Sequence, residues 1–267
     1  MSASFPMYDW PEIRTATDAW WSALAKAFRA EGMEDVPDRL LHDEQVTDLW
    51  GAPDLLLSQT CGYPLTHAWS GKLQVVATPH YTADGCHGAD YCSFILVRRS
   101  AGIAGLEELR GCRAAFNGED SQSGYSAFRA VIAPLARDGR FFGPTVCSGT
   151  HLRSMELVAA DDADVCAVDA VVWALARRHR PHLVDDLTAI ASSPPAPGLP
   201  YVTSPAASTG QVAKLKAGLR RAFADPALAE IRAELLLGGM SELSAGDYGR
   251  IGDIERESIV SGYGWLG

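Results

Sequence analysis

The chain has 267 residues, 47% of them hydrophobic, and a formal net charge of -10. That is enough apolar content for a large core, and the length favours two lobes over one, because single cores stop growing near ~250–300 residues. The negative field and the absence of a Lys/Arg run exclude a nucleic-acid footprint, and no stretch approaches the ~18 apolar residues of a membrane span, which excludes direct insertion.

The chain opens with FPMYD, which reads as a short strand ending in polar residues. A helix is predicted over 15–31, with Trp20, Trp21, Leu24, Ala27 and Phe28 at helical spacing. Residues 36–41 read as a strand, DEQVTDLW as a short helix and DLLLSQT as a buried strand. KLQVVATPHY and SFILVRR follow as strands, then a helical turn at 105–109 and the strand CRAAFN. GEDSQSGYSAFRAVIAPLA reads as a helix, 143–148 as a short strand, and SGTHLRSMELVAA as a helix. The strand 164–168 delivers Asp169 to the start of another helix, which ends in the basic cluster RRHR, where positive charge complements the helix dipole. LTAIAS reads as a strand, SPPAPGLPYVTSP as a Pro-rich linker or crossing, and 209–223, 226–236 and 247–259 as helical segments.

Alternating strands and helices predict an α/β fold with mainly parallel sheets, in which ligands bind beyond the carboxyl ends of strands. Polar clusters fall at such places. They supply Tyr8 and Asp9, then Thr60 and Tyr63 in SQTCGY, Ser121, Ser123, Gly124 and Tyr125 in NGEDSQSGY, Ser148 and His151 in CSGTH, and Asp169 in VDA. Each has two readings. Ser, Thr and Asp are ordinary helix N-caps. Two hydroxyls beside a glycine at a helix entrance also form a mouth suited to phosphate, phosphonate, sulfonate or carboxylate. A Walker A loop is excluded because the stretch lacks its Lys. Asp169 can cap its helix or accept from a ligand, and Tyr8, Asp9 and Tyr63 can line an opposite wall. Ser123, His151 and Asp169 carry the residue types of a hydrolytic triad, but no G-x-S-x-G elbow is present.

Six cysteines, at 61, 86, 92, 112, 147 and 166, show no C-x-x-C pair. Cys86, His87 and Cys92 form the one candidate metal cluster, and their spacing matches no structural zinc pattern, so neither metal nor cofactor is expected. Cys61 and Cys86 both follow predicted strands, and proximity without a disulfide is expected of them. The opening MSASFPMYDWPEIR has neither the basic start nor the apolar run of a secretory leader, so the sequence as it stands reads as cytoplasmic, or as periplasmic after removal of a leader.

Along most of the chain, MYD, QTCGYPL, GCHGADYCS, NGEDSQSGYSAFR, SGTHLRSMELVAADDADVCAVDAVVWAL and GLPYVTS occur in that order. In this the sequence resembles the type 2 periplasmic-binding-protein fold and, within it, the phosphate/phosphite/phosphonate-binding components of ABC transporters. The resemblance implies two α/β lobes, each a mainly parallel sheet flanked by helices, joined by two hinge crossings near Ser93 and 197–202. Residues 1–95 and 200–267 would form the first lobe and 96–199 the second. It places Ser121, Ser123, Gly124 and Tyr125 at an anion-binding helix entrance, Tyr8 and Tyr63 on the facing lobe, and Asp169 at the position of a ligand-contacting acid. The implied function is a solute-binding protein whose lobes close on a small phosphonate-like, phosphate-like or carboxylate anion, with an ABC transporter permease as possible partner. The missing leader and lipoprotein cysteine leave delivery to a transporter unexplained. Two alternatives stay open: a ligand sensor, or a cytoplasmic enzyme on the same fold, as in thiamine and menaquinone biosynthesis, using Asp169 or His151 as acid or base. The Cys-rich iron-dependent signature of the thiamine-precursor enzymes is not visible.

Overall fold

Leu55–Gln59 is buried at every position, its Leu55, Leu56 and Leu57 covered on both faces as an inner strand's residues should be. In the computed structural model, which describes residues 1–266, it belongs to a five-stranded sheet ordered Ser2–Ala3, Leu55–Gln59, Tyr201–Thr203, Gln74–Tyr81 and Leu237–Ser241. Only the first pair is parallel; the others are antiparallel. The helix Arg14–Ala30 buries Trp20, Trp21, Leu24 and Phe28 in the core of this unit, alongside Leu215 and Leu219 of the helix Thr209–Ala224. That second helix starts at a capping box in which Ser208 Oγ accepts from Gln211 N and Gln211 Oε1 accepts from Ser208 N. The two helices meet at Gly218, where a Cβ would lie 2.4 Å from Phe28 Cδ1. Only a glycine admits the ring.

A second mixed sheet is ordered Leu187–Ser192, Ser93–Arg98, Val165–Asp169, Ala114–Phe116 and Thr145–Cys147. The first two pairings are antiparallel and the last two parallel. Its core includes Leu109, Phe128, Ile132, Val165, Ala167 and Tyr263. Arg113 braces the sheet edge, donating to both Asp164 carboxylate oxygens and to Asp161, and these bonds hold the Asp164 carboxyl below its ordinary range.

The chain divides into two units: Met1–Thr82, His87–Ala89 and Pro197–Tyr248 form the first, and Ala83–Cys86, Asp90–Ala196 and the segment from Gly249 onward form the second. The sequence expectation put all of 200–267 in the first lobe, and this differs at the C-terminal helix Gly249–Val260. Glu255 of that helix pairs with the buried Arg129 at 3.0 Å, and Arg129 also donates to the Gly264 carbonyl. The pair ties the helix to the second sheet's core.

Other local expectations are corrected for identifiable reasons. The sheets are mixed rather than mainly parallel. The opening strand is Ser2–Ala3, and Pro6 and Met7 form a turn. Residues 36–41 form no strand; Pro37 lacks a ladder donor, although Val36 and Leu40 remain buried. Tyr201–Thr203, expected in a linker, is an inner strand. Leu237–Ser241 is a strand where LGGMS, with two glycines, gave no signal. The helix expected over 118–136 begins as a π-helical turn, Gln122–Ser126, continues as Ala127–Ile132 and tightens at Pro134 into a 3-10 turn.

Candidate functional site

Three adjacent parallel strands of the second unit end together. Phe116 pairs with Cys147, and Ala115 with Cys166. The residues that follow, Asn117 and Ser148, therefore emerge at the same sheet edge as Asp169, the last residue of its strand. This is the carboxyl edge at which open α/β sheets bind ligands.

Each emerging strand leads to a capped turn. Ser121 Oγ accepts from Gly124 N at 3.0 Å, and Ser121 O accepts from Ser126 N at 3.0 Å, closing the π-helical turn. Such turns occur often at functional sites. Thr150 Oγ1 caps His151–Ala159 by accepting from Arg153 N, and Asp169 Oδ1 caps Ala170–His179 by accepting from Val171 N and Val172 N at 2.7 and 3.1 Å.

The turn and the His151 helix meet at one hydrogen bond. Ser123 Oγ lies 2.8 Å from His151 Nε2 and 3.5 Å from Ser121 Oγ. Burial pushes the His151 pKa down to about 4, outweighing the opposing effect of the Ala167 backbone, so the ring is neutral at pH 7. A Cβ on Gly124 would sit 1.9 Å from Asn117 Oδ1 and 2.9 Å from His151 Cε1. The missing side chain is what lets the Asn117 amide and the imidazole converge. Around this turn, Asn117 Oδ1, both amide atoms of Gln122, Ser126 Oγ and His151 Nδ1 are buried without a hydrogen-bond partner. Buried polar atoms are nearly always paired, so a cluster of unpaired ones calls for a ligand or ordered water.

The second unit thus brings Ser121, Ser123, Gly124 and His151 together, with Tyr125 packed on Phe116 and beside Arg129. Ser148 is engaged internally instead: its Oγ lies within hydrogen-bond distance of the Phe116 and Thr150 carbonyls and meets Ser154 Oγ at 2.7 Å. His151 Nδ1 has no hydrogen-bond partner, so the Ser–His pair lacks the carboxylate that orients a triad histidine.

The first unit holds the remaining candidates. Tyr8 meets Tyr81 edge to face at 5.2 Å, and Tyr81 OH accepts from Gln59 Nε2. Asp9 is engaged by Arg14 at 3.1 Å and by His42 Nδ1 at 2.7 Å. Thr60 is fully buried, its hydroxyl donating to the Cys61 carbonyl. Tyr63, on the short helix Gly62–Thr66, stacks on His67 at 3.8 Å. All six cysteines are free thiols, and among the described residues no group of His, Cys, Asp and Glu is placed to hold a metal. The sequence reading passed over Asn117, Gln122 and Ser126. Asn117 was within reach of that reading, as the polar residue directly after a buried strand.

Among solved structures, PhnD1 from Prochlorococcus marinus in complex with methylphosphonate superposes with a TM-score of 0.75 at 16% identity, covering 96% of this chain and 97% of that one. A binding protein component of an ABC phosphonate transporter from Pseudomonas aeruginosa gives 0.75 at 15%, covering 100% and 90%. XAC2383 from Xanthomonas citri bound to ATP gives 0.72 at 15%, covering 98% and 97%. At these identities the likeness shows the fold, the α/β fold of two-lobed periplasmic binding proteins. No curated protein matches the chain. No helix among the described residues is long and apolar enough to cross a membrane. Residues 50–248 match the model of a family described as ABC transporter, phosphonate, periplasmic substrate-binding protein. With most of its length covered by that model, the chain belongs to the periplasmic substrate-binding proteins of phosphonate ABC transporters.

Proposed function

We propose that the chain binds a small anionic ligand through the second unit's Ser121–Ser123–Gly124 turn, with a phosphonate- or phosphate-like group as the recognised head. The observation that carries this reading is the 2.8 Å contact between Ser123 Oγ and His151 Nε2 beside a cluster of unpartnered polar atoms. Ser123 Oγ and His151 Nε2 share this hydrogen bond, with donor and acceptor set by the imidazole tautomer. Ser121 Oγ, while accepting from Gly124 N, keeps its own proton to donate to a ligand. The first amides of a helical segment lack intrahelical acceptors and add further donors.

The same geometry favours binding over catalysis. A histidine whose pKa burial lowers to about 4, with no carboxylate on its other ring nitrogen, is a weak general base for Ser123. In keeping with its family, the protein passes its ligand to a membrane permease and acts on the periplasmic side. Tyr125, Ser148 and Asp169 of the second unit complete the proposed set of ligand-binding residues.

Calorimetric titration of methylphosphonate, inorganic phosphate and simple carboxylates into the purified protein tests the reading, with mass spectrometry of the recovered ligand. A phosphonate or phosphate that binds, is recovered unchanged and is lost in the Ser121→Ala/Ser123→Ala double variant supports it. Unchanged affinity in that variant refutes the site, and a chemically altered ligand refutes the binding-only function.

A further inference from the structure

Tyr125 carries the turn Gln122–Ser126 into the core of the second unit. Its ring meets three neighbours: Phe116 at 5.1 Å, Trp265 edge-on at 6.1 Å and the Arg129 guanidinium at 5.4 Å. Phe116 ends the strand that leads to the turn. The other two neighbours depend on the far end of the chain. Trp265 belongs to it, and Arg129, itself buried, donates to the Gly264 carbonyl at 2.7 Å and pairs with Glu255 at 3.0 Å. A buried guanidinium that loses its carboxylate is left as an uncompensated charge, so its place over Tyr125 depends on Glu255.

That end of the chain is fixed on both sides of Glu255. It begins where the first unit stops. Tyr248 is buried there, its hydroxyl donating to the Gly198 carbonyl at 2.8 Å and meeting Thr78 Oγ1 at 2.7 Å. Gly249 then opens the helix that belongs to the second unit. Beyond the helix, Tyr263 joins the second unit's core, and its hydroxyl donates to the Leu266 carbonyl at 2.7 Å. Trp265 between them stays 55% exposed. A side chain half in water adds little to a core, and Tyr125 is the ring it meets.

Resting on the reading of this turn as the binding site, we propose that residues 249–266 are its positioning element. Glu255 holds Arg129, and Arg129 and Trp265 hold Tyr125, which sets the backbone from which Ser121 and Ser123 project. Glu255 and Trp265 are thus positioning residues, acting through Tyr125 rather than on the ligand.

Amide exchange read by mass spectrometry without ligand, and calorimetry with methylphosphonate, test this in Glu255→Gln, Glu255→Asp and Trp265→Ala. Glu255→Gln keeps the shape of the side chain and removes its charge. Amides of 122–126 are expected to exchange about tenfold faster relative to those of the inner strand Ser93–Arg98, which follow global stability. Methylphosphonate should bind about tenfold more weakly, within the range for a residue that acts through others. Glu255→Asp, which retains the carboxylate, should recover most of both. Trp265→Ala should repeat the selective exchange effect with little change in melting temperature. Equal acceleration at 122–126 and at Ser93–Arg98, or unchanged exchange at the turn in Glu255→Gln and Trp265→Ala, overturns the positioning role. Faster exchange at the turn with undiminished affinity overturns it as well, by separating the segment from binding. An unmodified protein that binds neither methylphosphonate nor inorganic phosphate refutes the anion reading and the binding half of this inference, while the ligand-free exchange rates still decide whether the segment holds the turn.

Discussion

Replacing Gly124 with alanine isolates the role of its missing side chain. In a helical segment, Gly→Ala ordinarily stabilises by ~0.5–1 kcal/mol, because alanine loses less backbone freedom on folding. Here the new Cβ would fall 1.9 Å from Asn117 Oδ1, 2.8 Å from its Cγ and 2.9 Å from His151 Cε1. Overpacking of that kind costs about 1–3 kcal/mol. Asn117 is the end of a short flexible side chain and can swing away; the imidazole is held by Ser123. The two contributions together give a net destabilisation of ~0–2.5 kcal/mol, read from urea midpoints at constant slope. The binding effect is larger, because relief moves the residues of the proposed site: methylphosphonate affinity should drop about tenfold or more, corresponding to ~1.4 kcal/mol. A second substitution, Asn117→Ala, should restore the stability of Gly124→Ala without restoring binding, a non-additivity expected of touching residues. A Gly124→Ala protein that gains the full helix-propensity increment and binds as before would refute the crowding argument.

Two further substitutions probe the same edge of the second sheet. Asp169→Ala removes the acceptor for Val171 N and Val172 N and should lower stability by about 0.5–2 kcal/mol in urea denaturation; a smaller loss would show that these amides find other partners. His151 gives a pH signature. Its folded pKa, about 4, lies below the ordinary 6.5, so between these values the unfolded chain binds more protons. Stability should be fully present above pH 6.5, decline as pH falls toward 4 and level off below that. In His151→Phe this part of the pH dependence should disappear from thermal melts; its persistence would assign the effect to other groups.

Where periodicity is long and strong, the sequence and the structure agree. Trp20, Trp21, Leu24 and Phe28 repeat at helical spacing, and the helix Arg14–Ala30 differs from the expectation by a single residue at each end. Failures occur where the chain carries an element that local composition does not mark. Tyr201–Thr203 sits in a proline-rich stretch, yet it is an inner strand because Leu55–Gln59 and Gln74–Tyr81 offer free edges on either side. Gly239 of Leu237–Ser241 lets the strand lie against His80, whose Nδ1 would be 3.3 Å from a Cβ there. Both are tertiary effects on short segments, invisible to propensity. The C-terminal helix was legible as a helix, but its allegiance depended on Glu255 reaching Arg129, a contact 126 residues apart.

The candidate site divides in the same way. Ser121 as a cap, Gly124 as a permissive position and Asp169 at a strand end could be read directly, because each follows from local backbone chemistry. That Ser123 meets His151, 28 residues later, could not; it depends on parallel pairing of Ala114–Phe116 with Thr145–Cys147. The same pairing bears on how a chain of net charge -10 would hold the proposed anion. Its overall field opposes approach, so affinity must come from short-range donors aligned before the ligand arrives. A hydrogen bond to a charged group contributes about 1.5–3 kcal/mol, and three or four together give about 4.5–12 kcal/mol, the range from millimolar to nanomolar binding before the entropic cost of association.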